Sequence, residues 1–155
     1  MINVRRDLSG GSPLPLARPE IARLALNLAV AIGHPKAHIG LTLVDDRRME
    51  ILHQTYLDCP GPTNVLAFPE DAHSPKMTSP NNEAVDPLVL RGNIAISLDT
   101  VLREAYLYGQ PVPAYLARLL AHALLHLANH DHGPVMDALC EFALANVSEL
   151  TGLSV

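Results

Sequence analysis

The chain has 155 residues, a formal net charge of −5, 48% hydrophobic side chains and two cysteines, Cys59 and Cys140. That length suits one domain spanning residues 1–155, and so apolar a composition excludes disorder of the chain as a whole. Two cysteines build neither a disulfide framework nor a Cys-x-x-Cys zinc site, and an acidic chain does not grip nucleic acid by bulk charge, so any RNA contact has to come from a local patch.

Met1 to Gly10 carry Arg5, Arg6 and Asp7 instead of an apolar segment, and no stretch approaches the roughly 18 apolar residues of a membrane span. Neither a secretory leader nor a membrane contact is expected, and the cytoplasm is the expected compartment. Ile2 and Val4 alternate with polar neighbours as a short edge strand, followed by a Gly/Pro/Ser loop through Pro15. Ile21, Leu24, Leu28 and Ile32 recur at helical steps after Pro19, and Gly33 with Pro35 ends that helix. Ile39, Leu41 and Leu43 alternate as a strand that stops at Asp45-Asp46, where a carboxylate can cap a helix running through Leu52 and Tyr56.

Pro62 to Pro69 reads as a turn and then a buried strand, with Phe68-Pro69 as its exit. Glu70 to Pro87 is polar, rich in Pro, Ser and Asn and without period, so an exposed loop carrying His73 is expected there. Arg91 to Ser97 reads as another strand and Asp99 to Leu107 as a short helix ended by Gly109. Pro111 and Pro113 then introduce a long helix, and Val135 to Leu150 form the last one, with Met136, Leu139, Phe142, Ala143 and Val147 spaced for burial. The order β-α-β-α-β-β-α-α-α predicts an α+β fold, with a small mixed sheet, helices packed against it and the functional site at one edge.

The chemistry is concentrated in His-Ala-Leu-Leu-His-Leu-Ala-Asn-His-Asp-His, residues 122–132. Histidines at i and i+4 of a helix, here His122 and His126, project from one face about a turn apart and can hold one metal ion. Asn129 to Asp131 are poor helix formers and Gly133-Pro134 breaks the helix, so the chain can turn back and offer His132 as a third nitrogen ligand. Three neutral imidazoles and one water describe an open catalytic zinc site, with one Zn2+ per chain. Zinc peptidases with this spacing carry a glutamate directly after the first histidine; Ala123 stands there, so a peptidase would lack its general base.

This stretch resembles the signature of the YbeY family of bacterial zinc-dependent endoribonucleases, His-Gly-x-Leu-His-Leu-x-Gly-Tyr-Asp-His. His122, Leu125, His126, Leu127, Asp131 and His132 match it, while Ala123, Asn129 and His130 depart from it without removing a ligand. Pro62 to Pro69 resembles the family's Pro-Thr-Asp-Val-Leu-Ser-Phe-Pro, with Asn64 and Ala67 substituted, and Arg91-Gly92-Asn93-Ile94 resembles its Leu-Gly-Asp-Ile.

The resemblance implies a nuclease that cleaves single-stranded RNA, matures rRNA 3′ ends and serves ribosome quality control, with rRNA, the ribosome or ribosomal proteins as partners. It also implies a positive charge for the phosphodiester from an arginine after a tyrosine. Here that pair is Tyr56-Leu57, and leucine has neither charge nor a fork of donors. Arg91, placed where the family has an apolar residue, is the candidate substitute. Two roles are open to Asp131, which either accepts a ligand imidazole's other N–H or caps the turn after the helix. A zinc-binding ribosome-assembly factor with weak or no nuclease activity is the competing expectation, favoured by Leu57 and the acidic charge.

Overall fold

The computed structural model describes residues 1–10, 14–57, 63–70, 86 and 88–151, with side chains up to 148. Its elements are β1 (Ile2–Asp7), α1 (Arg18–Ala31), β2 (Lys36–Val44), α2 (Asp46–Leu57), β3 (Val65–Pro69), β4 (Val89–Ser97), α3 (Leu98–Leu107), α4 (Val112–Leu127) and α5 (Pro134–Thr151). One mixed sheet has the order β1-β2-β4-β3; β1 and β4 run parallel to β2, and β3 pairs antiparallel with β4 at an edge. This is the α+β arrangement expected from the sequence. Residues 71–85 and 87 of the expected Glu70 to Pro87 loop, His73 among them, and Cys59 and Pro62 lie outside the described residues.

Alternation along the strands gives the sheet two different faces. Ile39, Leu41, Leu43, Leu90, Ile94 and Ile96 join the core made with α1, α4 and α5, where Leu28, Leu116, Leu120 and Leu124 are fully buried. On the other face Val44, Leu66 and Ala95 pack with Met49 of α2. Asp45 caps α2 as expected, its Oδ1 accepting the Arg48 N–H at 2.8 Å. Asp46 ties α2 to α3: its carboxylate accepts from the Ser97 and Thr100 hydroxyls at 2.7 and 2.9 Å and from Arg103 Nη1 at 2.6 Å. Cys140 is a buried free thiol.

The helix that carries the site is built from alanine and leucine, both strong helix formers, and opens with Pro113 in its first turn, where a missing N–H costs nothing. It is apolar nearly all round and buried nearly all round, so it is the central helix of the fold. Gly92 sets how its C-terminal end meets the sheet. A Cβ added there would stand 2.6 Å from Leu127 Cδ2 and 2.6 Å from the Phe68 carbonyl oxygen, so only a bare backbone lets Leu127 seat on the strand. Among the described residues, no helix is long and apolar enough to cross a membrane.

Candidate metal centre

His122 and His126 lie on the last two turns of α4, against β3. The chain then reverses in three residues. Asn129 takes a left-handed conformation (φ 63°), the His130 N–H reaches the Leu125 carbonyl at 3.0 Å and the Asn129 N–H the His126 carbonyl at 3.0 Å. These two bonds close a Schellman motif, which requires a residue at ease with positive φ. Asparagine is the usual second choice after glycine, which explains how Asn129 serves where the resembling signature has glycine. The reversal carries His132 back to α4.

The three Nε2 atoms form a nearly equilateral triangle, with 3.0 Å between His122 and His126 and 3.2 Å from His132 to each. His126 Nδ1 lies 3.1 Å from the His130 carbonyl oxygen. A carbonyl only accepts, so Nδ1 carries the proton and His126 Nε2 presents a lone pair. Neutral imidazoles arranged this way satisfy at most two of the three contacts by hydrogen bonds. A cation beyond the triangle satisfies all three nitrogens at once, and tetrahedral zinc with Zn–N of about 2.0–2.1 Å asks for N···N of about 3.3 Å. The residues therefore fit the metal that their spacing suggests. Burial first, then the neighbouring His126 and His132, pull the His122 imidazole below its ordinary value against a smaller opposing pull from Asp137. That favours the neutral form that a ligand needs.

A pocket of about 240 Å³ lies over the triangle, walled by Thr63, Asn64, Val65, Ala67 and Ala123. None of these carries a charge, so the peptidase base missing from position 123 is not replaced among the described lining residues. Asn64 donates from Nδ2 to Glu104 Oε2 at 3.2 Å, and the Tyr115 hydroxyl donates to the same oxygen. Burial, followed by that glutamate, pushes the Tyr115 phenol up. An aspartate at position 64 would face Glu104 with a second carboxylate, whereas asparagine supplies a donor.

Two expected participants stand elsewhere. Gly92 faces Leu127 and Ile94 faces the α4 core, so the odd positions of β4 turn to the α2 face; Asn93 and Ala95 line a cavity there. Arg91 belongs to that set and shares its end of the strand with Asp86, whose carboxyl is held below its ordinary value chiefly by the Leu88 N–H, with smaller pulls from Lys36 and Arg91. It does not line the histidine pocket. The Asp131 carboxylate is exposed and makes no hydrogen bond among the described residues; the His130 carbonyl orients His126 instead. His130 itself is outside the triangle.

Beside the pocket, and sharing His122, Asn64 and Val65 with it, a groove of about 300 Å³ runs between α4 and α5 past Tyr115, Arg118, Asp137 and Glu141. Arg118 is not among the residues expected at the site from the sequence. Its position four residues before His122 was the available signal, because that spacing places both on one helix face.

Comparison with known proteins agrees with this geometry. A family model described as endoribonuclease YbeY matches residues 19–141. The chain is 41% identical over 152 residues to an endoribonuclease YbeY of Oleidesulfovibrio alaskensis, covering 91% of this chain and 89% of the relative. It is 38% identical over 136 residues to that of Nitratidesulfovibrio vulgaris, covering 84% of each. The fold is similar to a solution structure from Thermotoga maritima with a TM-score of 0.61 at 19% identity, covering 97% of this chain and 91% of the other.

Proposed function

The chain belongs to the endoribonuclease YbeY family, and on that premise we propose that it is a zinc-dependent nuclease that cleaves single-stranded RNA. Its place is rRNA 3′-end maturation and ribosome quality control in the cytoplasm, with rRNA and the ribosome or ribosomal proteins as partners. Residues 1–155 act as one hydrolase domain. The observation that carries this reading is the triangle of Nε2 atoms, 3.0–3.2 Å on a side, opening onto a pocket.

His122, His126 and His132 would hold the ion, and the His130 carbonyl fixes the tautomer and ring orientation of His126. When bound, zinc supplies Lewis acidity, making water a nucleophile near neutral pH and drawing charge from a phosphoryl oxygen. Val65, Ala67 and Ala123 give the site an apolar wall, which strengthens electrostatic interactions within it. Thr63 and Asn64 offer neutral polar groups at the pocket.

A second reading, a zinc-binding ribosome-assembly factor, draws on Leu57, which stands exposed at the end of α2 where the family pattern has arginine. Stripping the protein with a chelator, reloading it with zinc and presenting an rRNA 3′-end fragment separates the two. Cleavage that zinc restores supports the nuclease. Zinc-dependent binding with the fragment left intact moves the function to assembly.

A further inference from the structure

A phosphodiester bears a negative charge that grows on its oxygens during cleavage, and a cationic side chain beside the reacting phosphate stabilises that charge. Among the described residues lining the histidine pocket and the adjoining groove, Arg118 is the one lysine or arginine. It lies one helical turn from His122 on the same face of α4 and opens onto the same groove. Glu141 of α5 accepts from its Nη1 at 2.6 Å, which holds the guanidinium in place. The side chain is 38% exposed, and its other N–H groups remain to form the paired donors that fit a phosphate.

We propose that the α4–α5 groove is a nucleotide subsite and that Arg118 binds an RNA phosphate there, supplying the charge that Leu57 does not. Asp137 and Glu141 bias the groove against an anion lying along α5, so the backbone of the strand is directed to the α4 side, toward His122. Arg91 lines neither this groove nor the histidine pocket. The inference rests on the nuclease reading for its catalytic consequence, but phosphate binding is measured independently of cleavage.

The test uses the zinc-loaded protein and a single-stranded RNA oligonucleotide, comparing wild type with Arg118→Ala and Arg118→Lys. Binding is followed against salt concentration, and cleavage is resolved into kcat and KM. Loss of one phosphate contact from a single strand lowers the log–log salt slope by about 0.7. Arg118→Ala is expected to show that decrease with a roughly 100-fold fall in kcat/KM, unchanged zinc content and an unchanged melting profile apart from the lost Glu141 pair. Arg118→Lys is expected to restore the salt slope and part of the rate, because it keeps the charge and loses the fork. An Arg118→Ala protein with the wild-type salt slope overturns the proposal, whatever happens to cleavage. Wild-type protein that binds the oligonucleotide with the Arg118-dependent slope and leaves it intact keeps the subsite and sinks the nuclease reading instead.

Discussion

Gly92→Ala probes the contact that sets the depth of α4 on the sheet. The new methyl would stand 2.6 Å from Leu127 Cδ2 and 2.6 Å from the Phe68 carbonyl oxygen, against the ordinary contact of about 3.5–4.0 Å. Leucine can rotate away. The carbonyl cannot, because it belongs to the β3–β4 pairing, in which Pro69 stands opposite Gly92 and Phe68 opposite Asn93. About 1 Å therefore has to come from separating β3 from β4 while Leu127 repacks, and overpacking on that scale costs about 1–3 kcal/mol. For a chain of this length the melting temperature should fall by roughly 4–8 °C for a loss of about 2 kcal/mol. Leu127 directly follows His126, so the same shift disturbs the triangle, and zinc affinity should drop on the order of tenfold as it does when a ligand's support is moved. Thermal melting followed by circular dichroism and competition with a chromophoric chelator read the two effects, with Gly10→Ala, which meets nothing within 4 Å, as the control. A Gly92→Ala protein that melts within about 1 °C of wild type and binds zinc equally well refutes the seating argument.

Asn129→Gly should leave stability and zinc affinity near wild type, while Asn129→Val should cost about 1–2 kcal/mol, because a β-branched residue resists φ 63°; equal denaturation midpoints for the two variants would contradict the turn. Burial alone would push the Asp46 carboxyl up, but hydrogen bonds from Arg103, Ser97 and Thr100 outweigh it and hold the group below its ordinary value. The stability this adds is fully present above the usual aspartate pKa of about 4 and is lost as pH falls through the lowered folded value. Asp46→Asn should thus destabilise by about 1–2 kcal/mol at pH 7, with the difference from wild type shrinking below pH 4 in denaturant titrations.

Much of this architecture is legible residue by residue. Helical spacing from Ile21 to Ile32, the Asp45 cap, the alternation from Ile39 to Leu43 and the His122/His126 pair are local signals, and each element formed where its period placed it. Even the return of His132 was readable, because Asn129 and Gly133 mark the reversal. The misplaced residues depend on relations between elements. Whether Arg91 or Gly92 faces α4 is a matter of strand phase, and it is decided by Leu127 settling onto the residue without a Cβ. For Asp131 the sequence left open whether it accepts from a ligand imidazole or caps the turn; the contact to His126 Nδ1 comes from the His130 backbone carbonyl, and carbonyls leave no trace in residue type. The groove of Arg118 exists only once α5 packs beside α4, so its residues are scattered in sequence between positions 64 and 141.

The most direct test of the account records zinc content and cleavage of a single-stranded rRNA 3′-end fragment in the same preparations of wild type and His126→Ala. Removing His126 takes away one corner of the triangle and the ring that the His130 carbonyl orients. About one zinc per wild-type chain with cleavage is expected, together with a His126→Ala protein that remains folded, has lost its zinc and does not cleave. Zinc bound equally by both proteins, or cleavage that survives the loss of His126, would contradict it.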